Sequence, residues 1–125
     1  MKNPKDSFIR GRVRSFKFAF RGFWLLIKSE DSIKTQLGLG VLISILGLVM
    51  DLSVTEWLFQ TAAIALVLTA ESLNTGIEKL CDFVHPDYDK RIGFIKDISA
   101  GAVTFAALFA LIVALIIYLP KFFNI

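Results

Sequence analysis

Three stretches without a single Asp, Glu, Lys or Arg constrain this chain more than any other feature: Lys34 to Asp51, Glu56 to Glu71 and Asp97 to Lys121. Between those charged residues lie sixteen, fourteen and twenty-three uncharged ones. A helix needs about 20 apolar residues to cross roughly 30 Å of hydrocarbon. All three stretches are therefore candidate transmembrane helices, and the first two must draw on flanking residues. With 125 residues, 55% of them hydrophobic, the chain falls in the membrane class and is read as one domain. The first 36 residues show no uninterrupted apolar core followed by a small-residue cleavage site, so a signal peptide is not expected.

Basic residues orient the spans. Nine precede the first one (Lys2, Lys5, Arg10, Arg12, Arg14, Lys17, Arg21, Lys28 and Lys34), and Lys79, Lys90, Arg91 and Lys96 lie between the second and third. Both regions are expected on the cytoplasmic side of the membrane. The link from Asp51 to Glu56 has no basic residue and the C-terminal end has only Lys121, so both are expected on the opposite side. Trp57, next to Glu56, reads as an interfacial anchor. The formal charge of +3 belongs to a membrane-facing surface, and nucleic acid is not an expected partner.

From 8 to 28 the pattern differs. Ile9, Val13, Phe16, Phe20, Phe23, Trp24 and Ile27 recur at three and four, while Arg10, Arg14, Lys17, Arg21 and Lys28 recur on another face. This predicts an amphipathic helix lying on the anionic leaflet among membrane lipids, with basic residues each worth about 1 kcal/mol near lipid phosphates. Ala102, Ala106, Ala110 and Ala114, each four apart, form a small-residue stripe suited to close helix packing. Pro86 with Asp87 and Asp89 predicts a turn; His85 reads as a solvated or locally bonded side chain. The single Cys81 reads as a small buried residue. The whole is an all-α integral membrane protein: a surface helix at 8–28, transmembrane helices at about 35–52, 56–80 and 97–119, and a cytoplasmic loop at 82–96.

The chemistry is concentrated on the second span. Glu71, Asn74, Glu78 and Asp82 are spaced by three, four and four, which at about 100° per residue puts them within roughly 80° of arc. A carboxylate at membrane depth costs on the order of 2.5 kcal/mol or more, so this face is expected to meet protein, water or a cation. Oxygen ligands crowded together suit Mg²⁺, and magnesium suggests phosphate. Glu30 and Asp31 precede the first span, and Lys96 and Asp97 precede the third, at the same expected membrane level. In-line phosphoryl transfer could use such a set: acids for the metal, a Lys for the phosphates and a deeper carboxylate for the proton of an attacking hydroxyl. No Gly-x-x-x-x-Gly-Lys-Ser/Thr occurs, and Gly38 and Gly40 have no third Gly at 43, so neither a P-loop nor a protein-kinase nucleotide site is expected.

Glu71-Ser-Leu-Asn74-Thr-Gly-Ile-Glu78-Lys-Leu-Cys-Asp82, followed by Lys96-Asp97-Ile-Ser-Ala-Gly-Ala-Val103, resembles the prokaryotic diacylglycerol kinase family, which includes the undecaprenol kinases. The likeness runs from Phe16-Lys-Phe-Ala-Phe-Arg-Gly22 through Ser29-Glu30 to the third span. It implies a homotrimer of three-span subunits in the bacterial inner membrane, with MgATP as phosphate donor and a lipid alcohol as acceptor. By position, Glu71 resembles the family's catalytic base, Glu30 and Glu78 its metal and ATP carboxylates, and Lys96 and Asp97 its nucleotide contacts. Asn74 resembles its active-site amide, with Asp82 in support. Asp87, Tyr88 and Asp89 fall where its cytoplasmic loop approaches ATP. Phe18 falls where a Tyr is common near the nucleotide, and it lacks that hydroxyl; Thr35 and Gln36 also depart from the family pattern. Diacylglycerol and undecaprenol both remain possible acceptors, and the residues alone leave open an ion or proton conductor built on Glu71, or a non-catalytic scaffold.

Overall fold

The computed structural model describes residues 4, 5 and 7–125; Lys2, counted above among the basic residues, lies outside them. Four helices follow one another: α1 (Phe8–Ser29), α2 (Asp31–Val49), α3 (Val54–Val84) and α4 (Lys90–Phe123). α3 and α4 form a long antiparallel pair, α2 packs against α3, and α1 touches α2. The ends fall into two groups. The α1–α2 junction and the α3–α4 loop share one end, here the loop end; the α2–α3 turn and the C-terminus share the other, the turn end.

Each boundary has a local cause. Ser7 caps α1 by accepting from the Arg10 N–H, and the amphipathic pattern leaves α1 with no buried residue, as expected of a surface helix. Glu30 alone is extended (φ −102°, ψ 114°) between α1 and α2. Its N–H donates to the Leu26 carbonyl and its own carbonyl accepts from Lys34, so one residue ends one helix and starts the next. α2 ends in a Schellman arrangement: Asp51 is left-handed (φ 55°) and the Leu52 N–H donates to the Gly47 carbonyl at 3.3 Å. A capping box then starts α3, with Ser53 Oγ accepting from the Glu56 N–H and Glu56 Oε1 accepting from the Ser53 N–H at 3.0 Å.

By length and composition, α2 and α4 are the two described helices able to cross a membrane. At about 1.5 Å per residue, α3 is long enough too. Its uncharged part stops at Ala70, however, so its composition falls short, and the expected third span does not stand out by this criterion. Exposed side chains along α2 and α4, among them Leu42, Leu48, Phe105 and Ile116, form far more apolar surface than a soluble monomer leaves open. The expected loop at 82–96 is corrected to His85–Asp89: α3 runs on to Val84, and Asp89 caps α4 by accepting from the Arg91 N–H. Lys96 and Asp97 consequently sit inside α4, not at the start of that helix.

What core there is lies toward the turn end, where Leu52, Ala63, Val113, Ile117 and Tyr118 are buried with Trp57 and Ile43 against them. Trp57, expected as an interfacial anchor, is half-buried. Its ring lies over Gly47, where an added Cβ would come within 2.9 Å of Trp57 Cη2, so the missing side chain lets α2 and α3 meet. Ala106 is buried and Ala110 and Ala114 half-buried, while Ala102 is exposed; most of the stripe packs within the chain. Cys81 is buried and unpaired, as expected.

Candidate functional site

At the loop end, the polar face of α3 meets the start of α4 and the helix break at Glu30. Lys96 Nζ donates to Asp82 Oδ1 at 2.5 Å, linking α3 to α4. That hydrogen bond, followed by the charges nearby, holds the Lys96 ammonium above its ordinary pKa. Lys79 Nζ lies 3.1 Å from Glu30 Oε1, linking α3 to the α1–α2 junction. Asn74 Nδ2 donates to Glu78 Oε1 at 3.2 Å, one turn along the same face. Glu71 is half-buried and makes no ion pair or side-chain hydrogen bond within the described residues.

Beside this face is a cavity of about 360 Å³ lined by Asp82, His85, Pro86, Asp87, Tyr88, Asp89, Ile92, Gly93, Lys96 and Asp97. Six residues singled out from the sequence therefore surround one space: Asp82, Asp87, Tyr88, Asp89, Lys96 and Asp97. The loop that forms its rim is braced locally. His85 Nδ1 donates to the Asp87 carbonyl at 2.8 Å, which agrees with the locally bonded reading of this histidine. Asp89 accepts from both the side chain and the backbone of Arg91, and those hydrogen bonds push its carboxyl down to about 2. Tyr88 is almost fully exposed.

Not every expected residue comes to this cavity. Glu71 and Asn74 lie along α3 away from the loop, at about 1.5 Å per residue some 16 Å from Glu71 to Asp82. Phe18 is exposed on α1, whose main contact is with α2, and it does not line the cavity. That axial spread also corrects the expectation that the α3 carboxylates crowd around one cation. Among the described residues no three His, Cys, Asp or Glu side chains gather as a metal cage. Instead, Glu30 has Lys79, Asp82 has Lys96 and Glu78 has Asn74.

The donor set still suits magnesium in its usual protein mode, in which one or two carboxylates add to phosphate and water oxygens. Glu78 uses one oxygen for Asn74 and is otherwise exposed. Asn74 Oδ1 is buried without a hydrogen-bond partner, and so is Ser99 Oγ. A buried polar group left unpaired costs about 1–3 kcal/mol, so each of these two atoms has hydrogen-bonding capacity that the described residues do not use. Sequence reasoning missed Ser99 and also Lys79, counted above only as a topology charge. Lys79 carried one usable signal: it is the basic residue inside the run from Glu71 to Asp82. Ser99 carried none, since a serine in an apolar helix commonly bonds back to its own helix, as Ser44 and Ser72 do here.

Comparison with known proteins bears on what this arrangement does. The pattern of the family described as prokaryotic diacylglycerol kinase matches residues 17–118, which takes in α2, α3, the loop, nearly all of α4 and most of α1. The chain is also 32% identical over 108 residues, 86% of its own length and 88% of the relative's, to an undecaprenol kinase of Bacillus subtilis (strain 168). The chain belongs to the prokaryotic diacylglycerol kinase family, and as a member it is a lipid kinase.

Proposed function

We propose that this lipid kinase transfers the γ-phosphate of MgATP to the hydroxyl of a membrane lipid alcohol at the cytoplasmic face of the bacterial inner membrane, with the acceptor either undecaprenol or diacylglycerol. The observation that carries the reading is the continuity of one α3 face, from half-buried Glu71 through Asn74 and Glu78 to the Lys96-paired Asp82 beside the loop cavity. A lipid hydroxyl arrives from the membrane side of that face and a nucleotide from the water side. The similarity to an undecaprenol kinase favours undecaprenol.

In this reading Glu71 accepts the proton of the attacking hydroxyl. It is suited to that task because no ion pair or hydrogen bond from the described residues occupies its carboxylate. Among the residues lining the cavity, Lys96 is the one cation and meets phosphate from its place beside Asp82. The free carboxylates of Asp87 and Asp97 suit the hydroxyl and amino donors of a nucleoside, and Tyr88 supplies a ring for its base. Glu78 and Glu30 would hold magnesium, with Asn74 fixing Glu78. The metal, when bound, supplies neutralisation of the charge that develops on the transferred phosphoryl group. Phe18 reaches the nucleotide only if a neighbouring subunit or a closer α1 brings it there. A third span on α3 and a homotrimeric assembly complete the proposal, both supported by family membership and by the exposed apolar faces of α2 and α4.

The test is transfer of labelled phosphate from MgATP to undecaprenol or diacylglycerol in mixed micelles, with Glu78→Gln beside the parent protein. Transfer to one acceptor that is lost in the variant supports the reading; equal transfer by the variant rejects the role given to Glu78.

A further inference from the structure

Lys79 follows Glu78 in the chain and pairs with Glu30 in space, its Nζ lying 3.1 Å from Glu30 Oε1. One ammonium is therefore the neighbour of both carboxylates to which magnesium is assigned. The pairing is selective. Asp82 lies three residues along α3 from Lys79, a spacing at which helix side chains meet, yet Asp82 takes Lys96 from α4 while Lys79 reaches across to the α1–α2 junction. Lys34, one turn into α2 from Glu30, is directed at Asp31 instead.

The Glu30 end of this pair is fixed and the Lys79 end is loose. Glu30 is the single extended residue between two helices, with its N–H donating to the Leu26 carbonyl and its own carbonyl accepting from Lys34, and its side chain is 22% exposed. The Lys79 side chain is 69% exposed and ends a flexible four-carbon stem. An ion pair this open is weak, so a divalent cation can displace the ammonium by a side-chain rotation alone. Charge then decides which cation does so. Glu30 and Glu78 are both negative and Lys79 is positive, so a bare divalent ion added to the three leaves a net positive charge. Phosphate oxygens that come with the metal reverse that sign.

We infer that Lys79 is a positioning residue for the metal site: it holds Glu30 against α3 while magnesium is absent, and releases it to magnesium that arrives with phosphate in preference to the bare ion. The inference rests on the metal role proposed for Glu30 and Glu78. Lys79 acts through Glu30 and touches no reacting atom.

The test is Mn²⁺ binding to the full-length protein in detergent micelles without nucleotide, followed by the electron paramagnetic resonance signal of the free ion. Lys79→Met should bind Mn²⁺ about two- to fivefold more tightly than the parent protein, the range set by an exposed ion pair. Lys79→Arg keeps the charge and should bind Mn²⁺ as the parent does. In a Glu30→Gln background, where the pair is already broken, Lys79→Met should add nothing. Affinity for the magnesium complex of a non-hydrolysable ATP analogue should not rise in Lys79→Met. Unchanged Mn²⁺ binding in Lys79→Met, whatever its thermal stability, would overturn the inference and leave the pair a structural tie. So would tightening that persists in Glu30→Gln, since Lys79 would then act as a distant charge and not through Glu30, or tightening that extends equally to the nucleotide complex. Parental Mn²⁺ binding by Glu30→Gln itself would reject the metal role of Glu30, and the role of Lys79 with it; weakened binding there beside no effect of Lys79→Met would reject the role of Lys79 alone.

Discussion

The two ends of the α3–α4 pair are made from similar residues and finished differently. At the turn end Glu56 accepts from its own capping box and from Lys121 at 3.2 Å, and Gln60 and Tyr118 satisfy each other. At the loop end, Asn74 Oδ1 and Ser99 Oγ are buried without partners, and Glu71 has no ion pair or hydrogen bond within the described residues. Closed polar groups hold helices together, and open ones have binding capacity left. The contrast puts the packed core at one end and, in the proposed function, the chemistry at the other.

The strongest break in that contrast is Glu71→Gln. It keeps shape and removes the base, so phosphate transfer should fall by about 10²–10⁴-fold, while nucleotide binding and thermal unfolding stay as in the parent protein. Loss of assembly instead would make Glu71 a structural residue. Next is Lys96→Met. Losing a hydrogen bond from a charged group to phosphate costs about 1.5–3 kcal/mol, so KM for ATP should rise roughly ten- to a hundredfold. Stability should change little, because the Asp82 partner is largely exposed and such pairs contribute about 0–1 kcal/mol.

At the turn end the expected losses are of stability. Tyr118→Phe leaves Gln60 Oε1 buried with its partner gone, and chemical unfolding should report a loss of about 1–3 kcal/mol. The smallest effect concerns the loop. Asp89 has its carboxyl lowered from 3.8 to about 2 by Arg91. Because the folded value is depressed, the cap is fully present above the ordinary value and is lost only as pH falls toward 2. The Arg91 amide resonance should therefore titrate near 2. In Asp89→Asn that titration should vanish while α4 still begins at Lys90, since Asn caps as well as Asp.

Much of this was legible beforehand because it rests on periodicity. The spacing of Glu71, Asn74, Glu78 and Asp82 defines one helix face whatever surrounds it, and the pattern of α1 defines an amphipathic helix. The resemblance in those motifs also anticipated the family, whose lipid kinase activity decides against the conducting and scaffolding alternatives. Helix ends were less legible. The charges at Asp82, Lys90 and Lys96 suggested a long loop, but they are helix-compatible residues, and only Pro86 and its neighbours interrupt the chain. Partnerships between distant residues were not legible at all: Lys79 with Glu30, Lys96 with Asp82 and Tyr118 with Gln60 depend on helix register. The α3 carboxylates do not crowd around one point, for a simple reason. An angular projection puts the α3 carboxylates on one face but omits the axial rise that separates them.

The most direct test compares phosphate transfer from MgATP to undecaprenol and to diacylglycerol by the parent protein, Glu71→Gln at the loop end and Glu56→Ala at the turn end. The account predicts transfer by the parent and transfer lowered about 10²–10⁴-fold in Glu71→Gln at unchanged stability. For Glu56→Ala it predicts parental transfer below an unfolding temperature lowered by the loss of about 1 kcal/mol of capping. Transfer by Glu71→Gln at the parental rate, or its loss in a fully folded Glu56→Ala, would contradict the division of labour between the two ends.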